Sequence, residues 1–221
     1  MNRCKAFLES LKPGVGAAAL IHRPENIRWL TGYTGEGCAF VSTDAQVIIT
    51  DFRYVEQAGR QAPECACLRT EAGLPERAHV KSLCEKYGIS KLFVETDYLI
   101  YDDYHALDTY LTDVELVPLG GVPQTLRMVK DEAEYALLKK AQQNSIRRAA
   151  AISCKAFESL LNKVHAGMTE KQVQVMLDYE MLSLGADSIG FSTIAAAGTN
   201  GSLPHAIPSD YVIQNGDLLT L

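Results

Sequence analysis

Residues 16–50 read GAAALIHRPENIRWLTGYTGEGCAFVSTDAQVIIT, and the periodicity changes inside this stretch. Residues 16–21 form an unbroken apolar run, the pattern of a buried strand. Arg23-Pro24-Glu25-Asn26 punctuates it and leads into a short helix at residues 27–30. Cys38-Ala39-Phe40-Val41-Ser42 and Gln46-Val47-Ile48-Ile49-Thr50 are rich in β-branched and aromatic residues and flank Thr43-Asp44-Ala45, so they predict a two-stranded hairpin. The glycines of residues 31–37 read as turn geometry rather than as an anion cradle.

The same alternation of short apolar runs and helical patterns extends from Val15 to about Pro123. Asp51 is placed to cap a helix in which Tyr54, Val55 and Ala58 share a side. Residues 75–87 predict a longer helix with Ala78, Leu83 and Tyr87 roughly on one face, ended by Gly88. Residues 91–95 predict a strand, 101–111 a helix and 114–117 a further strand. This pattern specifies an α/β domain with a mixed sheet over residues 1–123. Leu119-Gly120-Gly121-Val122-Pro123 is read as its boundary, because neither element type continues cheaply through Gly-Gly and Pro.

Residues 124–221 differ in kind. Asp131 with Glu134 makes a capping box for a long helix with an apolar face through Leu138, Ala141, Ser145, Ala149, Ile152, Ala156, Leu160 and Val164, about 50 Å long at ~1.5 Å per residue. Thr169 with Gln172 makes a second capping box. Its helix carries Val173, Met176, Leu177, Met181 and Leu184, a face read as core packing, and is closed by Gly185. An apolar strand at residues 194–197 then runs into the turn Thr199-Asn200-Gly201-Ser202. His205 follows on a loop stiffened by Pro204 and Pro208, the way reactive side chains are often presented. After the turn Asn215-Gly216-Asp217, residues 218–221 begin another strand. His22, His79, His105 and His165 lie in ordinary helix or loop patterns.

Composition narrows the classes of function. The 221 residues are 47% hydrophobic and carry a net charge of −6, enough for a packed core and unsuited to a dedicated nucleic-acid surface. The N-terminus lacks the pattern of a signal peptide and no run is long enough to span a membrane, so a cytoplasmic location is expected. The six cysteines have no metal-box spacing, and Cys65-Ala66-Cys67 lacks a second pair, so reduced structural thiols are expected.

Several blocks, in order, resemble the pita-bread metallopeptidases: Xaa-Pro aminopeptidases, prolidases and their relative creatinase. They are residues 24–35 (PENIRWLTGYTG), 50–58 (TDFRYVEQA), 126–132 (LRMVKDE), 167–170 (GMTE), 196–205 (AAGTNGSLPH) and 215–221 (NGDLLTL). The resemblance implies a creatinase-like N-terminal α/β domain followed by the first half of an α+β pita-bread domain at residues 124–221. It implies a hydrolase that releases residues N-terminal to proline with water activated by two divalent ions (Mn, Co or Zn), acting on proline-containing peptides, in the cytoplasm, as a homodimer. No nucleic-acid or membrane partner is expected.

Within the resemblance His205 matches the family histidine that lies beside the metals and hydrogen-bonds the substrate or intermediate, a role suited to an imidazole that can donate or shuttle a proton. Trp29, Tyr33 or Glu36 would touch substrate across a dimer interface. The carboxylate hairpin and the later His and Glu ligands of the family have no counterpart here. The expectation is therefore a truncated chain with no metal ligands of its own and no activity alone. A non-catalytic binding or dimerisation module of the same fold and a creatinase-like C–N hydrolase are the alternatives.

Overall fold

The computed structural model describes residues 3–11 and 16–221 and divides into two compact units, Met1–Val129 and Lys130–Leu221. Val15, the expected start of the alternating pattern, lies outside the described residues. In the first unit six strands form one sheet, β1 (Ala17–Ile21), β2 (Cys38–Ser42), β3 (Gln46–Thr50), β4 (Ala66–Arg69), β5 (Lys91–Val94) and β6 (Glu115–Pro118), in the order β4-β3-β2-β1-β5-β6. β1–β2 and β2–β3 are antiparallel and the other pairs parallel, so the sheet is mixed.

Strand alternation sorts the apolar side chains to the two faces. Ala19, Ile21, Ala39, Val41 and Ile48 pack on one face with α1 (Arg3–Leu11), α2 (Pro24–Thr31), α3 (Val55–Gln61) and α6 (Val122–Met128). Ala18, Leu20, Phe40, Ile49, Leu92 and Val94 pack on the other with α4 (Glu76–Tyr87) and α5 (Tyr101–Tyr110). Cross-strand register keeps these sets apart, with Ala19 opposite Val41 and Leu20 opposite Phe40. Each fully buried Ile or Phe contributes about 1.5–3 kcal/mol, so a one-residue slip would be prohibitive.

The hairpin, the strands β5 and β6 and helices α4 and α5 form close to where periodicity places them. Gly32 and Gly88 end α2 and α4 in the left-handed conformation that favours glycine. Four expectations are corrected. Asp51 does not cap α3: its carboxylate accepts from the Arg53 backbone N–H at 2.8 Å in a tight turn, and Tyr54 is the residue preceding the helix. The buried face of α4 is His79, Val80, Leu83 and Cys84 rather than Ala78, Leu83 and Tyr87. Pro123 does not break the chain but sits in the first turn of α6, where proline lacks nothing the helix needs, and Val122 and Leu126 pack into the first unit. The division accordingly falls after Val129, later than the Gly120-Gly121 pair.

Glu95, 1% exposed, ties the end of β5 to the start of α2. It accepts from the backbone N–H groups of His22 and Arg23 at 2.6 and 2.7 Å and from Asn26 Nδ2 at 2.6 Å. A carboxylate here satisfies donors that the first turn of α2 leaves open.

In the second unit, α7 (Glu132–Lys140), a π-helical segment (Ala141–Ile146) and α8 (Arg147–Leu161) follow one another, and α8 packs on α9 (Glu170–Ser183). Both capping boxes form as predicted, Asp131 with Glu134 and Thr169 with Gln172. The continuous apolar face does not. Within the second unit only Ala156 and Leu160 of that face are buried, while α7 buries nothing and Leu138 is exposed. The π-helical segment shifts the phase by inserting wider turns between the two halves. Ala156, Leu160, Val173, Leu177 and Ile213 form the core, with Met176 and Met181 packed beside it, in agreement with the structural reading of the methionines. Two short antiparallel strands, β7 (Ala196–Ala197) and β8 (Leu219–Thr220), complete the unit.

Candidate functional site

The loop leaving β7 is organised by one carboxylate. Thr169 caps α9, and Glu170, its first residue, is fully buried. Its Oε1 accepts from the Ala197 backbone N–H at 2.7 Å, its Oε2 accepts from the Ser209 N–H at 2.9 Å and Ser209 Oγ at 2.7 Å, and Asn200 Nδ2 reaches both oxygens at 3.1 and 2.9 Å. Burial alone would raise the pKa of this carboxyl. The hydrogen bonds from Ala197, Ser209 and Asn200 outweigh it and hold the group below the usual carboxylate range. The helix N-terminus adds in the same direction.

These bonds grip the chain on both sides of His205. A 3₁₀ turn (Gly198–Ser202) starts the loop. Gly198 has φ 53° and a Cβ there would lie 2.7 Å from the Tyr211 hydroxyl, so the close approach of Tyr211 requires glycine. Ala206 and Pro208 are buried and anchor the segment, whereas His205 is exposed in a turn and has no hydrogen-bond partner among the described residues. Further along, Asp217 Oδ2 accepts from the Tyr211 hydroxyl at 3.0 Å and the Gln214 N–H at 2.8 Å, closing the turn before β8. The result is an imidazole on a fixed backbone, open to whatever binds above it.

The other histidines are engaged elsewhere. His79 Nε2 lies 2.9 Å from the Arg69 carbonyl, His105 stacks on Tyr101, and His165 Nδ1 lies 2.8 Å from the Ala166 carbonyl. His22 pairs with Glu76. Of the residues expected to meet substrate from the first unit, Tyr33 is a core residue: it is fully buried and its hydroxyl donates to the Glu36 carbonyl at 2.8 Å, 3.1 Å from Thr50 Oγ1. Its aromatic ring fills the sheet face beneath the turn, which corrects that expectation. Trp29 is half-buried under the Arg3 guanidinium, and the exposed Glu36 pairs with Arg53. The glycine run is turn geometry, since a Cβ on Gly37 would lie 2.2 Å from the Ile49 carbonyl oxygen.

Several carboxylates of the second unit are engaged in bonds within it. Glu170 is saturated by the loop, Asp178 accepts from Thr193 Oγ1 at 2.5 Å, Glu180 pairs with Lys163, and Asp217 holds its own turn. Among the described residues, the one group of three His, Cys, Asp or Glu donors within 4.8 Å of one another is His22, Cys38 and Glu76, in the first unit. A cavity of about 740 Å³ lies beside α8, bordered by Ile152, Leu177, Met181, Phe191 and Ile194, and the charged residues lining it are Arg148 and Asp187.

Residues 3–129 match the Creatinase/Prolidase N-terminal domain, and residues 144–221 match Metallopeptidase family M24. The chain belongs to the creatinase/prolidase family. Within it, the chain is 36% identical over 203 residues to an uncharacterised peptidase of Bacillus subtilis, covering 91% of this chain and 55% of that protein. It is 26% identical to the Xaa-Pro dipeptidase of Pyrococcus horikoshii, covering 59% of its length. Among solved structures, the Xaa-Pro dipeptidase from Bacillus anthracis is similar with TM-score 0.73 and 31% identity, over 98% of this chain and 57% of that one. The X-Pro aminopeptidase from Thermotoga maritima is similar with TM-score 0.70 and 26% identity, again over 98% of this chain and 59% of that one. This creatinase/prolidase chain thus pairs a creatinase-like N-terminal domain with part of an M24 domain and spans a little over half the length of these relatives.

The exposed turn that carries His205 lies where Pro204 and Pro208 place a loop in the sequence. Glu170 was not legible there: an acid at the first position of a capped helix is ordinary, and nothing in sequence ties it to Ala197, Asn200 and Ser209.

Proposed function

We propose that the protein to which these two units belong is a metallopeptidase of the Xaa-Pro aminopeptidase or prolidase type, releasing residues N-terminal to proline, and that this chain contributes its N-terminal unit and the His205 loop. The observation that carries the reading is an exposed, unengaged imidazole on a backbone clamped from both sides by buried Glu170. Holding the loop while leaving the ring open is what a group must do that donates a hydrogen bond to a peptide carbonyl or to the oxyanion formed from it. The names of similar proteins, Xaa-Pro dipeptidase and X-Pro aminopeptidase, support the substrate class.

Two divalent ions, Mn, Co or Zn, would supply an activated water in the intact enzyme, and on this reading their ligands are not among residues 1–221. The reading therefore includes inactivity of residues 1–221 alone, and a cytoplasmic homodimer for the whole protein.

The test joins residues 1–221 to the remaining C-terminal part of the Bacillus anthracis Xaa-Pro dipeptidase and assays an Xaa-Pro dipeptide with added Mn²⁺. The chimera is expected to hydrolyse it, with His205→Ala lowering kcat by roughly 100-fold at unchanged thermal stability. An unaltered kcat in His205→Ala would reject the role of this residue. Turnover by the 221-residue protein alone would reject the division of labour.

A further inference from the structure

We propose that His22, Cys38 and Glu76 form a binding site for a single divalent cation of borderline softness, Zn²⁺ foremost, within the N-terminal unit. One donor comes from each of three elements: His22 follows β1, Cys38 opens β2 and Glu76 opens α4. β1 and β2 are paired through Ile21 and Ala39, and the His22 backbone N–H is fixed by Glu95, so the donors stand on a rigid frame.

The spacing suits a four-coordinate ion. His22 Nε2 and Glu76 Oε1 are 2.8 Å apart, and the donor atoms of all three residues lie within 4.8 Å of one another. Zn bonds of about 2.0–2.3 Å place tetrahedral ligands roughly 3.3–3.8 Å apart, inside that range, so side-chain movements of about 1 Å suffice. One imidazole nitrogen, one thiolate and one carboxylate oxygen is a donor set that Zn²⁺ accepts and that Mg²⁺ and Ca²⁺ do not favour.

The hydrogen bonds already present do not exhaust the cluster. Glu76 accepts from both His22 and Cys38, yet His22 Nδ1 is buried with no partner. Access is also provided. A cavity of about 270 Å³ is bordered by His22, Glu76, Asp103, Arg77 and Leu99, so two of the three donors face a space that admits a hydrated ion and can keep one water as fourth ligand. Burial, with Glu76 beside it, keeps Cys38 protonated in the absence of an ion. Binding replaces the thiol proton with the cation and releases that proton to solvent, while Glu76 enters as carboxylate and His22 as neutral imidazole.

The test titrates the metal-free 221-residue protein with Co²⁺ as a spectroscopic stand-in and then adds Zn²⁺. The expected result is one Co²⁺ per chain, a near-ultraviolet thiolate-to-cobalt charge-transfer band, the intense visible bands of four-coordination, and loss of both on adding Zn²⁺. Cys38→Ala should abolish the charge-transfer band, His22→Gln should weaken Co²⁺ binding by roughly 100-fold or more, and Cys154→Ala should change neither. Absence of the band in the unmodified protein, or its survival in Cys38→Ala, overturns the proposal. Should Cys38→Ala fail to fold, an unchanged Co²⁺ affinity in His22→Gln, a partly exposed position, overturns it independently.

Discussion

Ser209 donates to Glu170 twice, from its backbone N–H at 2.9 Å and its hydroxyl at 2.7 Å, across 39 residues of chain. The same carboxylate holds Ala197 on the other side of the loop. Removing it strands the buried Ala197 N–H and the part-buried donors of Asn200 and Ser209. Glu170→Ala should therefore destabilise the second unit by roughly 3 kcal/mol, measured as a lowered urea midpoint, with the first unit unaffected. A loss under about 1 kcal/mol would mean that the loop holds itself.

The pH dependence of the second unit should follow the same group. The folded-state pKa of Glu170 lies below its unfolded value of about 4.3. Its contribution is thus fully present above that pH and is lost as the pH falls through the lower, folded-state value. Glu180, lowered by its bond to Lys163, acts in the same direction, so the comparison that isolates Glu170 is with Glu170→Gln. In urea titrations below about pH 4.3 the unmodified protein should lose stability more steeply than the variant. Equal slopes would show that Glu170 is not the group responsible.

Gly37 fixes the start of β2. Its φ of 128° and the 2.2 Å approach of a hypothetical Cβ to the Ile49 carbonyl oxygen leave no room for alanine. Gly37→Ala should cost the first unit about 2–4 kcal/mol by chemical denaturation, whereas Gly59→Ala, where a Cβ meets nothing within 4 Å inside helix α3, should be neutral or stabilise slightly.

Sequence made the centre of the first unit readable because buried strands there are near-continuous apolar runs. All five residues of both β1 and β2 are buried. β4 was not found: its Ala66-Cys67-Leu68-Arg69 is an edge strand without fully buried positions, so neither alternation nor a run marks it. α1 was hidden because only Cys4, Phe7 and Leu8 face inward among scattered charges. α6 was mistaken for a boundary because Pro123 signals a helix start as readily as a break. In the second unit the capping boxes were legible as local chemistry, but the face of the long helix was not, since no residue type announces the π-helical turns at Ala141–Ile146. His22, Cys38 and Glu76 have no sequence signature, because the sheet rather than the spacing brings them together.

The position of β1 in the sheet also bears on how the chain is made. The β2–β3 hairpin and its pairing to β1 can form as soon as Thr50 has emerged from the ribosome, while the other side of β1 pairs in parallel with β5, from Ala17 opposite Lys91 to Leu20 opposite Val94. Contacts so far apart in sequence form slowly. Through that interval the nascent chain presents the bare flank of an entirely apolar strand, and it is there that misassembly competes with correct closure.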